Sequence, residues 1–287
     1  MGKTKIILTG ANGFLGKNLY IYLINQGYNV MTISIRDHNL NEVKSDIIKY
    51  QPDIFIHAGW SYGNSFKDIN NNNQYDNIKI GVELMKILSN IDNLYFIGLG
   101  SFAEYNPKNN TISELDKENP QNNYGLSKNL LKIISEKLCY INNFKWLWII
   151  PCYVFGPNDI QTRLIPKVIN SCLSNKTIKL NSCKSVVDYL YVEDFIEAIG
   201  HLIKNNNTGI FNICSGKQYQ IKDIINSIKK LCKSNSKIVF DSNKDRKNDY
   251  TKYICGDNNK LKESTKWKQK YNLVDGLKKT IEFYDKK

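Results

Sequence analysis

The 287-residue chain has no long apolar run. The longest, Trp146 to Phe155, is interrupted by Pro151 and falls far short of the roughly 20 residues a membrane-crossing helix needs. The N-terminus lacks the apolar core of a secretory leader, so a cytoplasmic protein without a membrane partner is expected. Histidine is scarce, and His38, His57 and His201 form no ligand pattern. The seven cysteines (Cys139, Cys152, Cys172, Cys183, Cys214, Cys232 and Cys255) are odd in number and scattered, with no paired metal-ligand spacing. Reduced thiols and no metal are therefore expected. Acidic residues are outnumbered, 27 against 40 lysines and arginines, for a net charge of +13. No basic stripe interleaved with aromatics accompanies that excess; lysine is spread along the chain beside asparagine and isoleucine. A nucleic-acid partner is thus not expected, whereas doubly anionic small substrates would be drawn in.

What is present starts near the N-terminus. Lys5-Ile6-Ile7-Leu8 is rich in β-branched residues and too short for a helix, which suits a buried first strand. Three glycines at three-residue spacing follow in Thr9-Gly10-Ala11-Asn12-Gly13-Phe14-Leu15-Gly16, before a helical pattern from Lys17 to Ile24. Gly10 suits a tight turn, Gly13 a close approach of backbone to a pyrophosphate, and Gly16 close packing of the new helix. Gly10, Asn12, Gly13, Phe14, Leu15 and Gly16 are the candidate cofactor cradle, because amides at a helix N-terminus favour an anion. A bare glycine turn is the alternative, and the flanking strand and helix argue against it.

Asn29 to Ser34 resembles a second strand. NAD-binding sites usually end it with an acidic residue that holds the adenosine ribose; this chain has Ser34, with Arg36 two residues on. One charge pair at about 4 Å and an effective dielectric of about 20 is worth about 4 kcal/mol before desolvation, so the sign of this residue can decide the preference. NADP is expected, with NAD as the alternative because Asp37 adjoins Arg36. Helix Asn41 to Lys49 leads to a strand, Ile54 to Gly59, whose small residues Ala58 and Gly59 would let a dinucleotide pass closely. Asn70 to Asn73 reads as a polar loop, Asn77 to Leu88 as a helix and Leu94 to Gly100 as a strand. The alternation predicts an α/β fold with a doubly wound parallel sheet.

Ser101 lies just past that last strand, and Tyr124-Gly125-Leu126-Ser127-Lys128 opens a helix to about Leu138. Four-residue spacing puts Tyr124 and Lys128 on one face. A free tyrosine, with a pKa near 10, is a poor acid–base catalyst at neutral pH unless a cation favours its phenolate. Lys128 can supply that cation, Ser101 can hydrogen-bond the same substrate oxygen, and Tyr124 can donate a proton to a carbonyl receiving hydride. In a lysine-rich chain this spacing also arises by accident; its place after the glycine pattern and a strand-end serine favours catalysis.

Together these residues resemble the extended short-chain dehydrogenase/reductases, the nucleotide-sugar epimerases, dehydratases and reductases. Also similar are Asn77 before its helix, Gly100-Ser101-Phe102-Ala103-Glu104-Tyr105, Phe155-Gly156-Pro157, a returning strand Asp188 to Asp194, and the strand Gly209 to Ile213. The resemblance implies a Rossmann-type domain of residues 1–157 plus 185–214, and a smaller α/β substrate-binding cap of residues 158–184 plus 215–287. It implies a nucleotide diphosphate sugar bound between the two, and a homodimer formed through the helices carrying Tyr124 and Asn77. Lys128 and Pro151 join the cofactor residues, and Phe102, Tyr153 and Arg163 join Ser101 toward substrate. Arg246 resembles the arginine that grips the diphosphate, suited by its bidentate geometry. For Arg163 a surface salt bridge is an equal alternative. The ending, Trp267 through Tyr284, resembles a packed structural segment.

Departures from the family narrow the chemistry. The 4,6-dehydratases follow the catalytic Ser or Thr with an Asp-Glu pair; this chain has Phe102 and Ala103, which argues against dehydration. Relatives resembling GDP-fucose synthase need a cysteine and a histidine where Ala103 and Asn158 stand. Val187 replaces the usual arginine before Asp188, so one phosphate contact is lost or has moved to Lys184 or Arg246. The expectation is NADPH-dependent reduction of the 4-keto group of a nucleotide-linked 4-keto-6-deoxy sugar, as in deoxysugar biosynthesis for surface polysaccharide. The alternatives are an NAD-dependent 4-epimerase and a non-catalytic NADP-sensing protein.

Overall fold

A computed structural model describes residues 2–35, 40–61, 69–106, 111–245 and 253–286. In chain order come β1 (Lys5–Thr9), α1 (Phe14–Asn25), β2 (Asn29–Ile33), α2 (Leu40–Tyr50), β3 (Ile54–His57), α3 (Asp76–Leu88), β4 (Tyr95–Leu99), α4 (Asn123–Ile141) and β5 (Lys145–Pro151). There follow β6 (Tyr153–Phe155), α5 (Leu164–Leu173), β7 (Ile178–Leu180), β8 (Val186–Val187), β9 (Tyr189–Tyr191), α6 (Val192–Lys204) and β10 (Gly209–Ile213). The chain closes with β11 (Tyr219–Gln220), α7 (Ile221–Leu231), β12 (Ile238–Phe240), β13 (Tyr253–Ile254), α8 (Asn259–Thr265) and α9 (Leu273–Asp285).

Two compact units result. The first comprises Met1–Asn106, Glu114–Pro151 and Ile196–Asn212; the second comprises Pro107–Ser113, Cys152–Phe195 and Ile213–Lys287. The first is built on a six-stranded Rossmann-type sheet of order β10-β5-β4-β3-β1-β2. Its strands β2, β1, β3, β4 and β5 run parallel, with Ile6 opposite Val30 and Ile54, and Phe55 opposite Phe96. β3 and β4 are buried at every position, as continuous apolar strands covered on both faces should be. Order reverses beside β1, so the ends of β1 and β3 flank the kind of crevice that binds ligands in such sheets.

Gly10 makes the turn that starts this crevice. Its φ of +73° suits glycine, and a Cβ there would lie 2.6 Å from the Gly59 amide nitrogen. A Cβ at Gly16 would lie 2.0 Å from the Gly10 carbonyl oxygen, so this glycine seats α1 on the turn itself rather than on the sheet.

The second unit holds three small sheets, β11-β8-β13, β12-β7 and β6-β9. Asp188 ties it together: its buried carboxylate accepts from the amides of Ser215 (2.9 Å) and Gly216 (2.9 Å) and from the Ser215 hydroxyl (2.6 Å). The expected strand from Asp188 to Asp194 is shorter. Only Tyr189–Tyr191 is strand, paired with β6, and Glu193 and Asp194 enter the first turn of α6. Acidic residues favour a helix N-terminus, and the Asp194 carboxylate is held there by the amides of Lys270 (2.8 Å) and Tyr271 (3.0 Å). The Asn70 to Asn73 loop is a second correction. Asn71 accepts from the Asn73 amide and caps a 3-10 turn over Asn72–Tyr75.

Trp267 is buried in the second unit, as is one face of α9. All seven cysteines are free, six of them buried. Among the described residues no helix is long and apolar enough to cross a membrane, and no group of three or more His, Cys, Asp or Glu could hold a metal ion.

Candidate active site

The glycine turn opens α1 with Gly13 at the cap position and no side-chain capping bond. Asn12 and Gly13 are exposed, Leu15 is half-buried, and Phe14 and Gly16 are buried. A helix start left uncapped by side chains, with its dipole pointing outward, is the chemistry a dinucleotide pyrophosphate requires.

The next strand end is locked to it. The Gly59 amide donates to Thr9 Oγ1 at 3.0 Å, and Thr9 Oγ1 lies 3.1 Å from His57 Nδ1. The hydroxyl that accepts from Gly59 thus also pairs with the imidazole, with donor and acceptor set by the ring's tautomer. Burial first, then the charge of Lys128, pulls the His57 pKa down to about 3, so the ring is neutral and serves the scaffold. Ala58 and Gly59 are half-buried beside this bond. Ser34 is half-buried just past β2, while Arg36 and Arg246 lie outside the described residues.

Ser101 caps a short 3-10 turn, Phe102–Glu104. Its Oγ accepts from the Ala103 amide at 3.2 Å, and Glu104 Oε1 accepts from the Ser101 amide at 2.7 Å. Because Oγ is occupied as an acceptor, its proton remains available to donate to a substrate oxygen. Helix α4 starts against this turn. Asn122 caps it by accepting from the Gly125 amide at 2.8 Å, and a Cβ at Gly125 would lie 2.0 Å from the Ala103 carbonyl oxygen. Only glycine after Tyr124 allows so close an approach of the tyrosine's helix to the serine's turn.

Lys128 is buried. Its Nζ donates to the Leu99 carbonyl at 2.6 Å and lies 3.8 Å from the centroid of the Trp60 ring. Trp60 also meets the Tyr124 ring edge-on at 5.9 Å and donates from its indole nitrogen to buried Gln74 at 2.9 Å. Burial pulls the Lys128 pKa well below the ordinary lysine range, and Glu104 partly restores it. Glu104 is pushed up by its own burial; Lys132, the Ser101 amide and the Trp148 indole pull it back.

Trp60 and Glu104 are the residues that sequence reasoning missed. Trp60 follows the small pair Ala58-Gly59 directly, and Glu104 stands three residues after Ser101, the spacing of a capping box. Asn77 lies inside the first turn of α3 rather than before it. Its amide brackets Ser61, accepting from that amide at 2.7 Å and donating to that carbonyl at 2.9 Å, which steadies the loop carrying Trp60.

Of the residues expected toward substrate, Phe102 is buried edge-on to Tyr105 at 5.7 Å. In the second unit Tyr153 is exposed with its ring 5.4 Å from Tyr189, and Arg163 pairs with Asp159 at 3.2 Å. Burial lifts Asp159 to about 6 against the pull of Arg163. Pro151 closes β5, half-buried.

The sheet, its order reversal and the glycine turn define a Rossmann-type α/β protein. The chain belongs to the NAD-dependent epimerase/dehydratase family, whose model matches residues 6–214, and so to the extended short-chain dehydrogenase/reductases. Among curated proteins it is similar to GDP-L-colitose synthase of Yersinia pseudotuberculosis, 29% identical over 98% of this chain and 97% of that one. Two solved structures share the fold. UDP-glucose 4-epimerase of Thermotoga maritima, solved with UDP-glucose, gives a TM-score of 0.89 at 19% identity over 99% of each chain. RMD from Pseudomonas aeruginosa, complexed with NADPH, gives 0.86 at 19% identity over 99% of each.

Proposed function

We propose that the protein reduces the 4-keto group of a nucleotide-linked 4-keto-6-deoxy sugar with NADPH. What supports this reading is the close packing of the helix carrying Tyr124 and Lys128 on the Ser101 turn at the Ala103–Gly125 contact, with Phe102-Ala103 rather than an Asp-Glu pair following Ser101. Similarity to a deoxysugar synthase supports it. The first unit would bind the dinucleotide through Gly10 to Gly16, Ser34, Arg36, Ala58, Gly59 and Pro151. The second would bind the nucleotide sugar, with Arg163, Tyr153 and Arg246 toward it.

NADPH held by those residues would supply the hydride that C4 requires; the chain's own side chains serve the carbonyl oxygen. The carbonyl π electrons move onto oxygen, and the Tyr124 hydroxyl donates its proton to that oxygen. Ser101 donates a hydrogen bond to the same atom and Lys128 favours the phenolate left behind, which regains a proton from solvent. The balance is ketone, NADPH and one proton giving alcohol and NADP. Arg36 favours the 2′-phosphate. Homodimerisation in the cytoplasm completes the proposal.

The test is NADPH oxidation by the purified protein with a panel of nucleotide-linked 4-keto sugars. Tyr124→Phe should lower kcat by roughly a hundredfold or more, the usual contribution of a general acid. Similarity to a UDP-glucose 4-epimerase keeps a second reading. It requires NAD that stays bound through purification and interconversion of two nucleotide sugars without added cofactor. Dinucleotide binding with no turnover on either panel would favour a sensing protein.

A further inference from the structure

Glycines stand at position 98, near the end of the buried central strand β4, and at position 100, just past it. A Cβ at Gly98 would lie 2.2 Å and 2.3 Å from Trp148 ring atoms; one at Gly100 would lie 2.3 Å from Trp148 Nε1 and 2.3 Å from Glu104 Oε1. Glycine weakens a strand, so this space is kept for a reason. It is filled by the fully buried Trp148 indole, whose one polar atom donates to Glu104 Oε1 at 3.2 Å and Oε2 at 3.3 Å.

Glu104 is itself 0% exposed. Its Oε1 also accepts from the Ser101 amide, and its Oε2 lies 3.8 Å from Lys132, which is paired in turn with Glu118. Two residues before Ser101, the Leu99 carbonyl accepts from Lys128. The exit of β4 is thus held at one peptide by the catalytic lysine and at the very next by Glu104. A carboxylate is expensive to bury, and a solvent-exposed Glu or Gln can complete a capping box. Burying it behind Ser101, on a tryptophan that needs two glycines, makes the serine's backbone rigid.

We propose that Glu104 is a positioning residue: through the Ser101 amide its buried carboxylate fixes the Ser101 hydroxyl relative to Tyr124 and Lys128. The inference rests on Ser101 facing the reacting oxygen, as in the function proposed above.

The experiment compares Glu104→Asp, which keeps the charge for Lys132 but is too short for the Ser101 amide, with Glu104→Gln, which keeps the length and an acceptor oxygen. Hydrogen–deuterium exchange over residues 99–105 is read beside kcat and KM for NADPH. In E104D exchange in this segment should rise and kcat fall about a hundredfold, as a misplacement of about 1 Å does, with KM for NADPH within about twofold. E104Q should restore both to within about tenfold of wild type, since its oxygen accepts from the same amide. A purely structural ion-pair role predicts the reverse order, E104D mild and E104Q severe, and that result overturns the proposal. So does wild-type exchange over 99–105 in E104D, or wild-type kcat in a variant whose exchange has risen. If the wild-type protein reduces no keto sugar while E104D exchange still rises, the reductase reading falls and the anchoring of Ser101 stands.

Discussion

The ammonium of Lys128 sits 3.8 Å from the centroid of the Trp60 ring, although 68 positions separate the two in sequence. The ring gives a buried cation an attractive wall where water is excluded, and its edge contact with Tyr124 puts both helix residues against one side chain. A desolvated cation–π contact contributes up to about 2 kcal/mol, enough to matter for a lysine whose pKa burial pulls down. Trp60→Ala should therefore lower kcat by about tenfold to thirtyfold, while Trp60→Phe, which keeps a π face, should stay within about fivefold of wild type. Initial rates of NADPH oxidation for both variants decide this, and equal rates would remove Trp60 from the site.

His57 sets an acid limit on stability. Its folded pKa, about 3, lies below the unfolded value of about 6.5, so its neutral burial contributes stability that is present above pH 6.5 and lost as pH falls toward 3. His57→Asn keeps a carboxamide near the Nδ1 position, able to pair with Thr9 in either sense, and cannot charge. Thermal unfolding between pH 4 and 7 should show a shallower fall for the variant than for wild type. Parallel curves would mean that another group governs this limb.

Overpacking of β4 gives a third expectation. Gly98→Ala drives a methyl into the Trp148 ring and should destabilise the protein by about 1–3 kcal/mol. Adding Trp148→Leu should recover part of that loss, because the added methyl then meets a smaller neighbour. Urea midpoints for the two single variants and the double variant measure the coupling, and strict additivity would disprove the contact.

In the second unit, Asp188→Asn turns an acceptor of several donors into a group that itself donates. Leaving buried amides of Ser215 and Gly216 competing for one oxygen should cost about 2–4 kcal/mol. Urea unfolding followed through a probe in residues 215–287 reads the loss; a change under about 0.5 kcal/mol would show that the knot is not needed.

Much of the first unit was legible in order along the chain. The strand before Gly10, the glycine spacing and the serine past β4 are local patterns, and local spacing with apolar periodicity is what a sequence displays. Tyr124 and Lys128 were legible because a helix brings fourth neighbours together whatever surrounds it. The Asp188 to Asp194 stretch misled because its apolar residues suit a strand, whereas the donors that hold the Asp188 and Asp194 carboxylates come from Ser215, Gly216, Lys270 and Tyr271. Asn70 to Asn73 looked like an unstructured polar tract, yet the Asn71 carboxamide caps its turn and Asn123, at the start of α4, donates to the Asn70 carbonyl.

The sequence alone determined the sheet class, the glycine turn at Gly10 to Gly16 and the helical spacing of Tyr124 and Lys128, since each is written in local spacing and apolar periodicity. Only the tertiary structure decided what surrounds Lys128 and what holds Ser101. Those environments are assembled from Trp60, Leu99, Glu104, Lys132 and Trp148, residues on separate strands, turns and helices. Burial and electrostatics act through space, and side chains far apart in the chain acquire one shared dielectric only when the sheet closes over them.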